Sequence, residues 1–184
     1  MRLFIALPLP PPALAAAGAQ LRHLVERNWP VRWVREEGLH VTLKFFGEVT
    51  SDRVDVIEDL LRRSASGIGR FNVVFRGCGA FPNVRRARVL RLDLQAGRPL
   101  EVLQDRLERA ALDLGFAPEG RPFVPHITLG RVREGHRLPA DAGGALEAMP
   151  SGFSFEADQV VLFESTLTRG GSVYVVRSSE ALTV

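Results

Sequence analysis

Cysteine, lysine and long apolar runs are all scarce in this chain of 184 residues. The one cysteine, Cys78, excludes an internal disulfide and any zinc site built from several cysteines. Every basic residue except Lys44 is an arginine, a bias that a GC-rich genome or a hot habitat explains as well as a binding site does. No segment approaches the roughly 20 consecutive apolar residues that a transmembrane helix needs. We therefore expect no membrane association.

The apolar N-terminal segment is also a poor signal peptide. Prolines at positions 8, 10, 11 and 12 interrupt it where such a peptide needs a continuous helix, so we expect a cytoplasmic protein. The chain is 46% hydrophobic and 24% charged, which predicts one globular domain over residues 1–184, in two lobes. We expect it to be a monomer. The net charge of +3 suits an anionic ligand without identifying one.

One short pattern, His-x-Thr-Leu, occurs twice, at residues 40–43 and 126–129. In a β-strand, residues i and i+2 point to the same face, so His40 and Thr42 would lie side by side, and so would His126 and Thr128. The two copies are separated by nearly half of the chain. This spacing predicts two similar halves, each of which contributes one His/Thr pair to a shared cleft.

The remaining apolar patterning predicts about eight strands and three or four helices, without strict strand-helix alternation. This favours an α+β fold with mainly antiparallel sheets. We expect a glycine-rich bend at 77–82 after a strand at 71–75, a surface loop at 134–144, and a turn at 169–171 between the last two strands. The glycine-rich segment lacks the Gly-Lys-Ser/Thr ending of a phosphate loop.

Strand alternation also places other residues relative to the cleft. Lys44 has the same parity as His40 and is expected to point its ammonium towards the cleft, unless it only occupies the solvated end of the strand. The aromatic residues Trp33, Phe45 and Phe81 are candidates for stacking on a base, although a place in the core accounts for each of them better.

Two histidines with neighbouring hydroxyls suit in-line displacement at phosphorus. The unperturbed pKa of histidine, about 6.5, lets one copy act as a base and the other as an acid near neutrality. The threonines would hold non-bridging oxygens as negative charge develops. Catalytic zinc sites take three protein ligands, and neither motif offers a third at a suitable spacing. We therefore expect no metal and no cofactor.

With this doubled motif, the chain resembles the two-histidine phosphoesterase superfamily. Within it, the chain is most similar to the bacterial and archaeal RNA 2′,3′-cyclic phosphodiesterases, also called 2′-5′ RNA ligases. The stretches that carry the resemblance are Arg2–Pro8, Leu39–Glu48, Gly79–Pro82, Gly115–Phe116, Arg121–Arg131, Glu164–Ser165 and Tyr174. The resemblance implies a bilobal α+β fold with a pseudo-twofold axis, mainly antiparallel sheets, helices on the outside and a central groove.

The resemblance also implies a substrate and a set of roles. The substrate would be RNA with a 2′,3′-cyclic phosphate end, tRNA fragments included, opened by water to a 2′-phosphate. His126 would be the base, His40 the acid, and Thr42 and Thr128 phosphate ligands. Arg131 matches the arginine that follows the family's second motif, although strict alternation points it away from His126. Attack by a 5′-hydroxyl in place of water would give 2′-5′ ligation.

Two other functions fit the same residues. In a non-catalytic RNA-end-binding protein, both histidines would only hydrogen-bond phosphate, but arginine or lysine alone would suffice for that. In a phosphodiesterase of a small cyclic nucleotide, the same chemistry would act on a smaller substrate. The sequence does not separate this second alternative from an RNA substrate, because base contacts come from loops that it cannot place.

Overall fold

A computed structural model describes residues 1–168 and 171–183. These residues form nine strands and four α-helices, joined in places by short 3-10 turns. The strands are β1 (Arg2–Pro8), β2 (Val31–Trp33), β3 (His40–Glu48), β4 (Phe71–Phe81), β5 (Val89–Ala96), β6 (His126–Val132), β7 (Ser154–Ala157), β8 (Gln159–Thr168) and β9 (Gly171–Ala181). The helices are α1 (Pro11–Val25), α2 (Val54–Ala65), α3 (Arg98–Asp113) and α4 (Ala142–Glu147). Arg169 and Gly170 of the predicted turn lie outside the described residues.

The strands form two sheets, and every strand pairing that the structure describes is antiparallel. The first sheet has the order β3-β1-β8-β9 and contains the first motif strand. The second has the order β2-β6-β5-β4-β7 and contains the second motif strand. The α+β prediction with mainly antiparallel sheets is confirmed.

The two sheets do not correspond to the two halves of the chain. Strand β2 belongs to the first half but pairs with β6 of the second sheet, and β8 and β9 belong to the second half but complete the first sheet. Each sheet therefore depends on strands from both halves, and β3 approaches β6 where the sheets meet. This exchange brings the two motif strands together.

Buried leucine, valine and isoleucine side chains from both sheets join those of the helices in one hydrophobic cluster. Helix α3 buries Leu100, Leu103, Leu107 and Ala111 on one stripe, at the spacing expected of an amphipathic helix. No helix among the described residues is long and apolar enough to cross a membrane.

Two local predictions are wrong. The glycine-rich segment at 77–82 is not a bend, because β4 continues through it to Phe81 and pairs with β5 along its length. A register shift at Gly77, where φ is +103°, absorbs one extra residue as a β-bulge, and glycine accepts this backbone conformation without strain. The predicted loop at 134–144 ends early, because α4 begins at Ala142 and buries Ala145 and Leu146.

Candidate active site

A β-bulge follows each His-x-Thr motif and changes which side chains face the cleft. In β3, Thr42 and Lys44 pair with consecutive residues of β1, so Leu43 is the extra residue. Leu43 and Lys44 are both buried as a result. The alternation is reset, and Phe45 returns to the face that carries Thr42.

The bulge removes Lys44 from the cleft, which corrects the prediction made from strand parity. Its side chain enters the interface with α3, where Nζ donates hydrogen bonds to Glu108 Oε1 and to the carbonyl of Ala117, each 2.9 Å long. The lysine side chain is 3% exposed. Lys44 is therefore a buried ion-pair partner that fastens α3 to the first motif strand.

The equivalent bulge in β6 places Arg131 on the side of the cleft. Thr128 and Gly130 pair with consecutive residues of β5, so Leu129 is inserted in the same way as Leu43. Arg131 consequently shares a face with Thr128 and His126, and its side chain is exposed. Strict alternation predicts the opposite orientation and fails here because the strand is not regular.

His40 is held in one tautomer by its own backbone. Its Nδ1 lies 2.7 Å from the carbonyl oxygen of Gly38, and because a carbonyl only accepts, Nδ1 carries the hydrogen. Nε2 then lies 3.0 Å from Thr42 Oγ1, so the threonine hydroxyl donates to it when the ring is neutral. Burial lowers the pKa of His40 below 6.5; the hydrogen bond to Gly38 opposes this effect and the nearby His126 adds to it.

His126 repeats the Nδ1 contact in the second sheet. Its Nδ1 donates to the carbonyl of Val124 over 2.7 Å, which leaves Nε2 to carry the lone pair of the neutral ring. Burial lowers the pKa of His126 most, and the bond to Val124 raises it. Arg91 and Arg131 lower it further, whereas Asp93 raises it. The lowered pKa values favour the neutral form of both imidazoles, and the Nδ1 hydrogen bonds fix their orientation.

Aromatic rings surround His40 on the first sheet. Its ring centroid lies 4.8 Å from that of Phe4 and 5.2 Å from that of Tyr174, and the Tyr174 ring is edge-on to it. Phe163 completes the group at 6.4 Å. A cavity of about 340 Å³ opens beside these rings and is lined by Tyr174 and Phe163 together with Gln159.

The chain matches a known protein family. The model of the 2′-5′ RNA ligase superfamily matches residues 10–169, which include both motifs. The RNA 2′,3′-cyclic phosphodiesterase of Methanothermobacter thermautotrophicus is 38% identical over 147 residues, or 78% of each chain. The chain belongs to the 2′-5′ RNA ligase superfamily. The family resemblance seen in the sequence is confirmed.

Two solved structures share this fold over nearly the whole chain. TT0787 of Thermus thermophilus superposes with a TM-score of 0.81 at 27% identity and covers 99% of this chain and 98% of its own. E. coli LigT complexed with 3′-AMP gives a TM-score of 0.77 at 29% identity, with 100% and 98% covered. The similarity extends through both sheets and includes both motif strands.

The three aromatic residues that the sequence offers for stacking on a base lie in different environments. Trp33 packs against the core and approaches β6 so closely that a Cβ on Gly130 would lie 2.9 Å from its ring. Phe45 is 47% exposed on the cleft side of β3. Phe81 lies edge-to-face with His126 at 5.1 Å, so its ring contacts a motif histidine.

Sequence reasoning missed two charged residues beside His126, which are Arg91 and Asp93 on β5. In the register of the second sheet, Asp93 lies opposite His126, and Arg91 lies opposite Thr128. A signal for them exists in the sequence, because the two charged residues alternate with Leu90, Leu92 and Leu94. Such alternation predicts one buried face and one face turned to the cleft.

Proposed function

We propose that this protein is an RNA 2′,3′-cyclic phosphodiesterase that acts without a metal ion and forms a 2′-phosphate end. The observation that supports this most strongly is the paired site. Two strands from different sheets each present a histidine whose Nδ1 donates a hydrogen bond to a backbone carbonyl. Each histidine is followed two residues later by a threonine. Curated relatives with that activity, 38% identical in one case, support the same substrate class.

The reaction is a hydrolysis with in-line geometry. His126 Nε2 accepts a proton from a water molecule as the water oxygen forms a bond to phosphorus. The bond from phosphorus to O3′ breaks, and protonated His40 donates the hydrogen on its Nε2 to the departing O3′. The products are a 2′-phosphate and a 3′-hydroxyl. Exchange with solvent then returns the His126 proton and reprotonates His40.

The threonines and one arginine stabilise the charge that develops on the phosphate. We assign Thr42 and Thr128 as hydrogen-bond donors to non-bridging oxygens, because each hydroxyl lies two residues from a motif histidine on the same face. Arg131, returned to this face by the bulge, contributes a charged donor. Attack by a 5′-hydroxyl instead of water passes through the same arrangement and gives 2′-5′ ligation.

The terminal nucleoside is best accommodated on the aromatic side of the cleft. Phe163 and Tyr174 line the cavity beside His40 and offer ring surfaces there, and Gln159 supplies a polar group in the same lining. Bases of single-stranded RNA ends stack on such rings. A nucleotide ligand also occurs in the LigT complex with 3′-AMP. The partner is therefore an RNA end, and the proposed location is the cytoplasm.

Turnover of an RNA oligonucleotide with a 2′,3′-cyclic phosphate end tests this function. The described residues contain no group of three or more His, Cys, Asp or Glu side chains placed to hold a metal ion, so we expect the same rate in excess EDTA as in buffer. Loss of activity in EDTA that zinc restores would contradict the metal-free mechanism. Tight binding without turnover would make the protein an RNA-end-binding protein.

The same assay with a cyclic mononucleotide addresses the other alternative. We expect a higher kcat/KM for the oligonucleotide, since an arginine-rich chain of net charge +3 favours a polyanion. A clear preference for the mononucleotide would instead identify a phosphodiesterase of small cyclic nucleotides.

The pH dependence of kcat/KM gives a second test. The reaction needs neutral His126 and protonated His40, so the profile is bell-shaped. Burial lowers the pKa of both histidines below 6.5, and kcat/KM reports the free enzyme. Both limbs are therefore displaced to the acid side, and the maximum lies below pH 6.5. A flat profile from pH 5 to 8, with chemistry rate-limiting, would contradict the acid-base pair.

A further inference from the structure

The surroundings of the two histidines differ at equivalent positions. Each motif strand pairs with an interior strand of its own sheet in the same relative register, bulge included. The residues opposite the first His and Thr are Pro8 and Ala6, and those opposite the second His and Thr are Asp93 and Arg91. A charged pair is thus present beside His126, while neutral residues occupy the matching places beside His40.

Arg91 and Asp93 contact each other on the cleft-facing side of the second sheet. Arg91 Nε lies 3.1 Å from Asp93 Oδ1, and the arginine side chain is 17% exposed. The guanidinium carbon lies 3.7 Å from the centroid of the Phe81 ring, and Phe81 in turn contacts His126 edge-on. Arg91 is therefore fixed on both sides, by a carboxylate and by an aromatic face.

Glycine at position 79 makes room for this pair. A Cβ at Gly79 would lie 3.1 Å from Asp93 Oδ2 and 3.4 Å from Arg91 Nη2, which is tighter than ordinary contact. Within residues 1–168 and 171–183, Arg91 Nε and Nη1 and Asp93 Oδ1 are buried and make no hydrogen bond of good geometry. The fold thus holds the charges of Arg91 and Asp93 beside the cleft, although hydrogen bonds do not satisfy them fully. Stability alone does not favour such an arrangement, because removing charges from water costs free energy.

We propose that Arg91 and Asp93 are positioning residues which give His126 the role of base and so break the symmetry between the two histidines. The proposal rests on the proposed hydrolysis for its catalytic meaning. Arg91 disfavours a proton on the resting imidazole, which keeps His126 ready to accept one from water. Asp93 stabilises the imidazolium once the proton has been transferred, as the bond from water to phosphorus forms. His40 has no such pair in the equivalent places, and it acts as the acid.

The electrostatics around His126 agree with this division. Arg91 is the foremost charged side chain in lowering the pKa of His126, while Asp93 acts in the opposite direction. Arg131, on the same strand as His126, also lowers the pKa of His126. His126 in turn lowers the pKa of His40 on β3. Burial raises the pKa of Asp93, and the nearby Arg91 and His126 act in the opposite direction. Cys78, near Asp93, has its pKa raised to about 12 and stays neutral.

Titration of the His126 ring resonances by NMR tests the pair directly in Arg91→Gln and Asp93→Asn. We expect the midpoint of His126 to rise in Arg91→Gln and to fall in Asp93→Asn, with the double variant between the two. Arg88→Gln is the matched control. Arg88 is exposed and lies just before β5, so this substitution removes one arginine charge outside the Arg91–Asp93 pair. The resonances of His23 and His136 report the integrity of the fold.

Kinetics then connect the titration to catalysis. In Asp93→Asn we expect the limb of the kcat/KM profile that titrates with His126 to move to lower pH and kcat to fall about tenfold, since a weaker base transfers the proton less well. In Arg91→Gln the same limb moves to higher pH. Midpoints that stay unchanged, or that move in the same direction in both variants, would overturn the proposal. Because the NMR titration needs no turnover, its result stands apart from any failure of the proposed hydrolase function.

Discussion

Changing either motif histidine to alanine should lower kcat for hydrolysis of a 2′,3′-cyclic phosphate end by about 10² to 10⁴-fold. The reason is that His126→Ala removes the proton acceptor and His40→Ala the proton donor. We expect the double variant to lose little more than either single variant, because the two histidines act in one step. Steady-state kinetics with saturating oligonucleotide would measure all three variants.

The fold supplies a matched control for the histidine variants. His136 is an exposed histidine whose Nδ1 also donates to the carbonyl two residues before it, Glu134, over 2.9 Å. His136→Ala therefore removes the same local hydrogen bond outside the cleft, and we expect unchanged kcat. A small loss in His40→Ala or His126→Ala, comparable with that in His136→Ala, would contradict the acid-base assignment.

Changing Lys44 to methionine should destabilise the protein without impairing the chemistry. The variant leaves Glu108 of α3 without its cation and the Ala117 carbonyl without the lysine donor. Removing one partner of a buried ion pair costs about 3 kcal/mol. For a chain of this size that corresponds to a fall in Tm of roughly 10 °C. Urea unfolding and thermal melting would measure both quantities.

A second variant distinguishes the ion pair from loss of packing. Lys44→Met combined with Glu108→Leu removes both charges, so we expect it to regain much of the stability lost in Lys44→Met. We expect kcat/KM per folded molecule to stay within about twofold of the parent in both variants. Intact stability with lost activity would restore the substrate-binding role that strand parity predicts for Lys44.

The motif strands are predictable from the sequence because their signal is local. Alternation within His-x-Thr-Leu places the histidine and threonine on one face whatever the rest of the chain does, and the repeat of the pattern indicates a second strand of the same kind. Both strands form as predicted, and in each one the histidine Nδ1 donates to the carbonyl two residues before it. The shared cleft needs only these two elements to meet.

The bulges after the motifs cannot be predicted from alternation. Leu43 and Leu129 are each inserted into a strand whose partner lacks a matching residue, and that mismatch exists only once β1 and β5 have paired. One inserted residue reverses the orientation of every side chain beyond it. Alternation therefore assigns both Lys44 and Arg131 to the wrong face, in opposite senses.

The exchange of strands between the halves is equally hidden. The pairing of β2 with β6 and of β8 with β1 joins residues far apart in the chain, and no local pattern encodes such contacts. The charged pair on β5 escapes sequence reasoning for a related reason. Arg91 and Asp93 alternate with buried leucines, but only the register of the second sheet shows that they lie opposite Thr128 and His126.

The identity of the product end tests the central claim most directly. An RNA oligonucleotide with a 2′,3′-cyclic phosphate would be incubated with the protein, and the opened end identified by mass and by ³¹P NMR. We predict a 2′-phosphate beside a free 3′-hydroxyl, because protonated His40 donates to the departing O3′ while His126 activates water. A 3′-phosphate, or an unopened ring, would contradict the account.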